Sequence, residues 1–210
     1  MAEGLDTCGD EEWLPRKIYL VDQSPRLVET WRAAFAVFQE VEVLAGDYFQ
    51  RPADALVSPA NSFGIMDGGL DGAIRQRFGD SIQVKVQNVI LEKYHGELPV
   101  GCAEIVATDE PAWKYLIAAP TMRVPESVSG SLNAYLAFRA ILLAIENLNK
   151  RCGRLEIASL VCSGLATGVG GMSAERCARQ MRLAYDTMLA QPLNRRFESI
   201  WQLHRELRQS

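Results

Sequence analysis

The sequence predicts an α/β fold, a three-layer α/β/α sandwich with a mixed, mostly parallel central sheet. Three observations carry this expectation. Short apolar runs alternate with stretches of helical spacing along most of the chain. The runs lack polar alternation, as strands do when helices cover both faces of a sheet. Two glycine-rich turns stand where a strand gives way to a helix, the arrangement found at the carboxyl edge of open α/β sheets.

The elements follow in order. Lys17 to Val21 reads as the first strand. Ser24 is placed as an N-cap with Pro25 at the first helical position, for a helix running to about Phe38. Val41 to Ala45 is the second strand, ended by Gly46-Asp47, and Ala53 to Val57 is the third. Helical spacing then covers Leu70 to Phe78 and Ser81 to Tyr94. Strands are expected at Ala103 to Thr108 and Tyr115 to Ala119, the second ended by Pro120 and a polar loop. A long helix from Ser131 to Asn149 buries one face through Leu132, Leu136, Ile141 and Ile145. Leu155 to Val161 is the last strand, and Ala174 to Leu189 the helix after the second glycine loop. Residues 14–190 therefore form the expected domain, after a disordered segment at 1–13. Residues 191–210 are expected as a helical extension packed on it through Ile200, Trp201, Leu203 and Leu207.

Composition narrows the function. The 210 residues are 48% hydrophobic and 23% charged, with no apolar run long enough to span a bilayer and no signal-like start, so a cytoplasmic protein without a membrane partner is expected. The formal net charge of −4 gives no general attraction for nucleic acid. Five scattered cysteines without a C-x-x-C pair suggest neither disulfides nor a metal site. His95 is expected at a helix end or on the surface. With one other histidine, His204, in the chain, and with Ser163 outside a G-x-S-x-G elbow, a nucleophilic triad has little to draw on.

The glycine loops carry the chemistry. Glycine lets successive main-chain N–H groups approach an anion, and the orphan donors and dipole of a following helix add to that attraction. Neither loop contains lysine, so neither is a P-loop. Gly168-Val169-Gly170 opens like a dinucleotide fingerprint, but Ser173 stands where its third glycine belongs. A diphosphate held between two such loops requires no cationic side chain.

The stretch "GDYFQRPADALVSPANSFGIMDGGLDGAI" resembles the core of the macro domain, whose members bind ADP-ribose and in some branches hydrolyse its derivatives. Gly46-Asp47 matches the family's Gly-Asp-aliphatic turn, Ser58-Pro59-Ala60-Asn61 its Asn-Ala-Ala-Asn strand end, and Gly69-Leu70-Asp71-Gly72-Ala73-Ile74 its first glycine loop. "LATGVGGM" is similar to the second loop. The resemblance implies ADP-ribose or an ADP-ribosylated macromolecule as partner, with nucleic acid entering only as a modified substrate, and no cofactor.

Carried over residue by residue, the resemblance implies that Asp47, with Tyr48 beside it, reads adenine, and that Asn61 holds the distal ribose. Main-chain donors near Gly68, Gly69, Leu70 and Asp71 meet one phosphate. The second loop, from Ser163 through Leu165, Ala166, Thr167, Gly168, Val169, Gly170 and Gly171, meets the other and the distal sugar. Asp71, with Asn61, is the candidate for chemistry as an ADP-ribosyl hydrolase or ADP-ribose 1″-phosphate phosphatase, orienting or deprotonating a water. A non-enzymatic reader and a binder of other nucleotides or RNA ends are the alternatives. Asp67 is expected as a second carboxylate able to raise the pKa of Asp71 by crowding. Three departures from the family stand out. Ser58 replaces the first Asn, with loss of its contact. Gly170 replaces a loop aromatic, whose place Phe63 or Met66 is expected to take. A helical C-terminus replaces a closing strand.

Overall fold

The structure is a computed structural model that describes residues 13–190 and 196–208. The expected disordered segment at 1–13 lies almost wholly outside these residues, as do 191–195. Six strands are formed: β1 (Lys17–Asp22), β2 (Val41–Ala45), β3 (Ala55–Ser58), β4 (Glu104–Glu110), β5 (Trp113–Ala118) and β6 (Ser159–Cys162). The helices are α1 (Pro25–Ala34), α2 (Gly69–Phe78), α3 (Ser81–Tyr94), α4 (Asn133–Cys152), α5 (Ala174–Leu189) and α6 (Phe197–Arg208), with a 3₁₀ turn at Tyr48–Gln50.

The strands form one sheet in the order β2-β1-β6-β3-β5-β4, parallel throughout except for β4, which runs antiparallel to β5. Successive side chains of a strand face opposite sides, and the buried residues divide accordingly. Ile18, Leu20, Ala55, Val57, Leu160 and Cys162 pack under α1, α4 and α5. Val21, Leu56, Leu116 and Val161 pack under α2 and α3. Apolar runs without alternation thus produce the three layers. The mixed, mostly parallel sandwich is the fold present.

Caps set several boundaries. Ser24 Oγ accepts from Leu27 N and Ser173 Oγ from Arg176 N, opening α1 and α5. His95 ends α3 in a left-handed conformation with φ 53°. Free Cys102, Cys152, Cys162 and Cys177 take part in no disulfide among the described residues.

Three expected elements are corrected. The first helix stops at Ala34 rather than Phe38, because the chain turns to bring the Phe38 ring edge-on to Tyr185, with centroids 4.9 Å apart. The last strand starts at Ser159 rather than Leu155. The buried Asn149 amide takes both main-chain groups of Ile157, accepting from its N–H at 2.9 Å and donating to its carbonyl at 3.1 Å, ahead of the ladder. In α6, Leu203 and Leu207 meet the core as expected, but Ile200 and Trp201 stand 45% and 49% exposed. The helix is fastened at its far end, where Gln180 Nε2 donates to Leu207 O and an Arg176 guanidinium nitrogen to Arg208 O, each at 3.2 Å.

Candidate functional site

β1, β6, β3 and β5 are parallel neighbours, so the loops after their carboxyl ends rise from one edge. The β3–β6 ladder pairs only Ala55 with Leu160 and Leu56 with Val161. Beyond it the buried Tyr48 hydroxyl lies 2.7 Å and 3.0 Å from the carbonyl oxygens of Val57 and Val161 and accepts from Val57 N–H, filling the place of ladder bonds. Above this point opens a cleft of about 930 Å³.

The first loop is braced by its own side chains. Asn61 Nδ2 donates to Ile65 O at 2.7 Å, while its Oδ1 accepts from Phe63 N–H and Ile65 N–H. Gly64 turns with φ 62°, and a Cβ there would fall 2.8 Å from Val86 Cγ1, so only glycine fits. Gln83 Oε1 on α3 accepts from Met66 N–H. α2 then begins behind Gly68, whose position supplies no side-chain cap. Among the described residues, the N–H groups of Gly69, Leu70 and Asp71 find no protein acceptor and belong to residues lining the cleft.

The second loop mirrors this. Gly164 N–H donates to Asp22 Oδ2 at 3.2 Å, and Asp22 Oδ1 accepts from Ser24 N–H, tying the end of β1 to the loop. Ala166 sits in the left-handed region at φ 62°, and its carbonyl accepts from Met172 N–H. Thr167, Gly168, Val169 and Gly170 keep main-chain N–H groups without a protein acceptor among the described residues. A Cβ on Gly170 would lie 2.5 Å from Ala166 O and 2.8 Å from Val128 Cγ2. An aromatic at that position is therefore sterically incompatible with this loop.

Of the cleft-lining residues none is cationic, while Asp22, Asp67 and Asp71 are acidic. Asp71, in the first turn of α2, accepts a 2.6 Å hydrogen bond from the buried hydroxyl of Ser58. Burial pushes its carboxyl from 3.8 up to about 6, and the Ser58 bond opposes part of that rise. The contact expected to be lost with the family's first Asn is thus replaced by a different one. Asp67 does not contribute: it is exposed and paired at 2.6 Å with Arg75, which also holds Asp80. Desolvation, rather than the expected crowding of carboxylates, raises Asp71.

A family model described as Macro domain matches residues 57–181, from within β3 to within α5. The chain belongs to the macro domain family. An uncharacterized protein of Aquifex aeolicus is 33% identical over 142 residues, 68% of this chain and 78% of that one. A macro domain-containing protein of Caldanaerobacter subterraneus is 29% identical over 143 residues, 67% of this chain and 76% of the other. Among solved structures, the macrodomain of Mycobacterium tuberculosis DarG superposes with a TM-score of 0.56 at 22% identity, covering 69% of this chain and 88% of that one. A mutant Oceanobacillus iheyensis macrodomain solved with ADPR gives 0.51 at 22% identity, covering 65% and 72%.

Within this macro domain the structure brings Tyr48, Asn61, Gly68, Gly69, Leu70, Asp71, Ser163, Ala166, Thr167, Gly168 and Val169 to the cleft. Four expected residues are placed otherwise. Asp47 caps the 3₁₀ turn through Phe49 N–H at 2.9 Å and does not line the cleft, and Leu165 is buried in the core. Gly170 and Gly171 shape the loop from behind. Neither Phe63 nor Met66 closes the open end: Phe63 lies under the Arg123 guanidinium, and Met66 is buried in the core. That wall is made by Ile65, Met122 and Pro125. Sequence reasoning missed Asp22 and Gln23 after β1 and Thr121 and Met122 after β5. The rule that ligands meet strand carboxyl ends, applied to every parallel strand, would have found them.

Proposed function

We propose that the cleft binds ADP-ribose and that Asp71 supports hydrolysis at its distal ribose. One observation carries the reading: two sets of unpartnered main-chain N–H groups, at Gly69–Asp71 and at Thr167–Gly170, belong to loops bordering one cleft without a cation. A diphosphate is the group such a pair fits. Adenosine then lies toward Val21, Asp22, Gln23 and Gly46, and the distal ribose toward the Asn61 loop. The ligands named for the Oceanobacillus iheyensis and Thermosipho africanus structures, ADPR and ADP-ribose, support this reading.

In the hydrolysis, Asp71 takes a proton from water as the oxygen attacks the anomeric carbon. The bond from that carbon to the acceptor breaks, and the acceptor leaves with a proton. A carboxyl held near 6 is ionised at neutral pH yet more basic than an ordinary aspartate. The functional unit is residues 14–190, with 191–210 as an appendage. The proposed setting is the cytoplasm, which suits the four free thiols.

Calorimetry against ADP-ribose, ADP, AMP and NAD tests binding, with micromolar-class affinity of about −8 kcal/mol expected for ADP-ribose. Equal affinity for AMP would sink the diphosphate reading. Release of ADP-ribose from modified protein, and of phosphate from ADP-ribose 1″-phosphate, should stop with Asp71→Asn. A second reading, a reader without turnover, is favoured by the open wall at Val169, which is 66% exposed. Binding without release from any substrate selects it.

A further inference from the structure

α6 divides its side chains in a way that its packing does not require. Leu203 and Leu207 meet the core. On another face, Phe197, Trp201, His204, Arg205 and Arg208 fall in one stripe at helical spacing. Phe197 and Trp201 are exposed, and the Trp201 ring stands edge-on to both Phe197, at 5.9 Å, and His204, at 5.7 Å. Trp201, His204, Arg205 and Arg208 line a shallow depression of about 540 Å³. The guanidinium groups of Arg205 and Arg208 form no ion pair among the described residues. Of the acids on the helix, Glu206 accepts from Gln202 on the opposite side, and Glu198 flanks the stripe.

An exposed tryptophan is ill-suited to water, and two free guanidiniums beside it are ill-suited to an apolar partner. A chain of planar bases joined by phosphates satisfies both. We propose that the α6 stripe binds single-stranded nucleic acid, Trp201 stacking on a base and Arg205 and Arg208 meeting flanking phosphates. A second copy of the chain fits less well. A 12-residue helix is about 18 Å long and about 10 Å wide, so one face offers about 200 Å², well below the ~800 Å² per partner of a stable dimer. The net charge of −4 confines the attraction to this stripe. The site is separate from the cleft and does not depend on the ADP-ribose reading. It lies on the side where α5 begins, since Arg176 holds the Arg208 carbonyl and Ala174 lines the cleft.

The test is fluorescence anisotropy of a labelled single-stranded ten-mer, DNA and RNA in parallel, with the full chain. Trp201→Ala should weaken binding about tenfold, and Trp201→Phe should restore most of it. Arg205→Gln with Arg208→Gln should remove two phosphate contacts, lowering the log–log salt slope by about 1.4. The same sequence as a duplex should bind at least tenfold more weakly, because its bases are not free to stack. Circular dichroism and ADP-ribose calorimetry of each variant show that the fold and the cleft persist. An unchanged affinity in Trp201→Ala, equal binding of polyglutamate, or a dimer in sedimentation that Trp201→Ala dissociates would each overturn the proposal.

Discussion

Ser58, the last residue of β3, donates a 2.6 Å hydrogen bond to the carboxylate of Asp71 in the first turn of α2, so the strand end fixes the one desolvated acid of the cleft. The geometry joins two residues thirteen positions apart on either side of the glycine loop. Ser58 is 1% exposed, and the hydroxyl has no competing water-facing role. It therefore orients Asp71 and restrains its pKa, two effects that mutation separates.

The first prediction concerns stability. The Asp71 carboxyl is held at about 6 against an ordinary 3.8. Between those values the folded chain keeps a proton that the unfolded chain releases. Its contribution to stability therefore declines as pH rises from about 4 to 6 and stays low above that. The full shift corresponds to about 3 kcal/mol. Asp71→Asn keeps an acceptor for Ser58 and removes the buried charge, so it should stabilise the protein by about 1–3 kcal/mol at pH 7.5. The gain should vanish by pH 4. Urea unfolding of both proteins at the two pH values measures it, and a destabilised variant at pH 7.5 would count against the desolvated site.

The second prediction separates burial from crowding as the cause of that shift. Ser58→Ala removes the hydrogen bond that favours the carboxylate, so the Asp71 pKa should rise above 6. The acidic limb of any turnover should move up with it. Asp67→Asn should leave both in place, because Asp67 is engaged with Arg75. Carboxyl-carbon NMR titration reads the pKa whether or not turnover is found. A fall of the Asp71 value in Asp67→Asn would restore the crowding explanation.

These contrasts show what a linear reading of the chain could reach. The sheet, its layers and α5 to the residue follow from apolar runs and caps, because local pattern and tertiary packing agree there. Where a distant side chain competes for the backbone, pattern fails: Asn149 delays β6 by holding Ile157, and the Phe38–Tyr185 contact ends α1 early. In the site, glycine turns mark the two loops, yet the Ser58 hydroxyl reads from sequence only as a missing amide. Its partner is set by the fold. Asp22 looked like the end of a strand, and only the closeness of β1 to β6 joins it to Gly164.

The third prediction concerns the second loop. Gly170→Ala places a methyl 2.5 Å from the Ala166 carbonyl, which cannot yield without breaking the Met172 N–H bond to it. The variant should lose about 1–3 kcal/mol of stability and at least tenfold in ADP-ribose affinity. Gly168 has open space where its Cβ would stand, so Gly168→Ala should alter stability by less than about 0.5 kcal/mol. Thermal unfolding and calorimetry of the pair measure this. Equal tolerance at both positions would mean that the loop is not held as described.

The last prediction asks whether Asn61 acts by contact or by shape. Its amide makes three hydrogen bonds inside the 61–65 turn, one as donor and two as acceptor. Asn61→Asp preserves size and both acceptor bonds but sets a carboxylate oxygen against the Ile65 carbonyl, 2.7 Å from the present nitrogen. Asn61→Ala loses all three bonds without adding repulsion. If the side chain chiefly shapes the loop, Asn61→Asp should destabilise the fold at least as much as Asn61→Ala, about 1–3 kcal/mol. Both should weaken ADP-ribose binding in proportion to lost stability. If it chiefly holds the ribose, affinity should collapse in Asn61→Ala while the melting temperature scarcely moves. The two outcomes differ in one melting curve and one titration, and the bonding in the 61–65 turn favours the first.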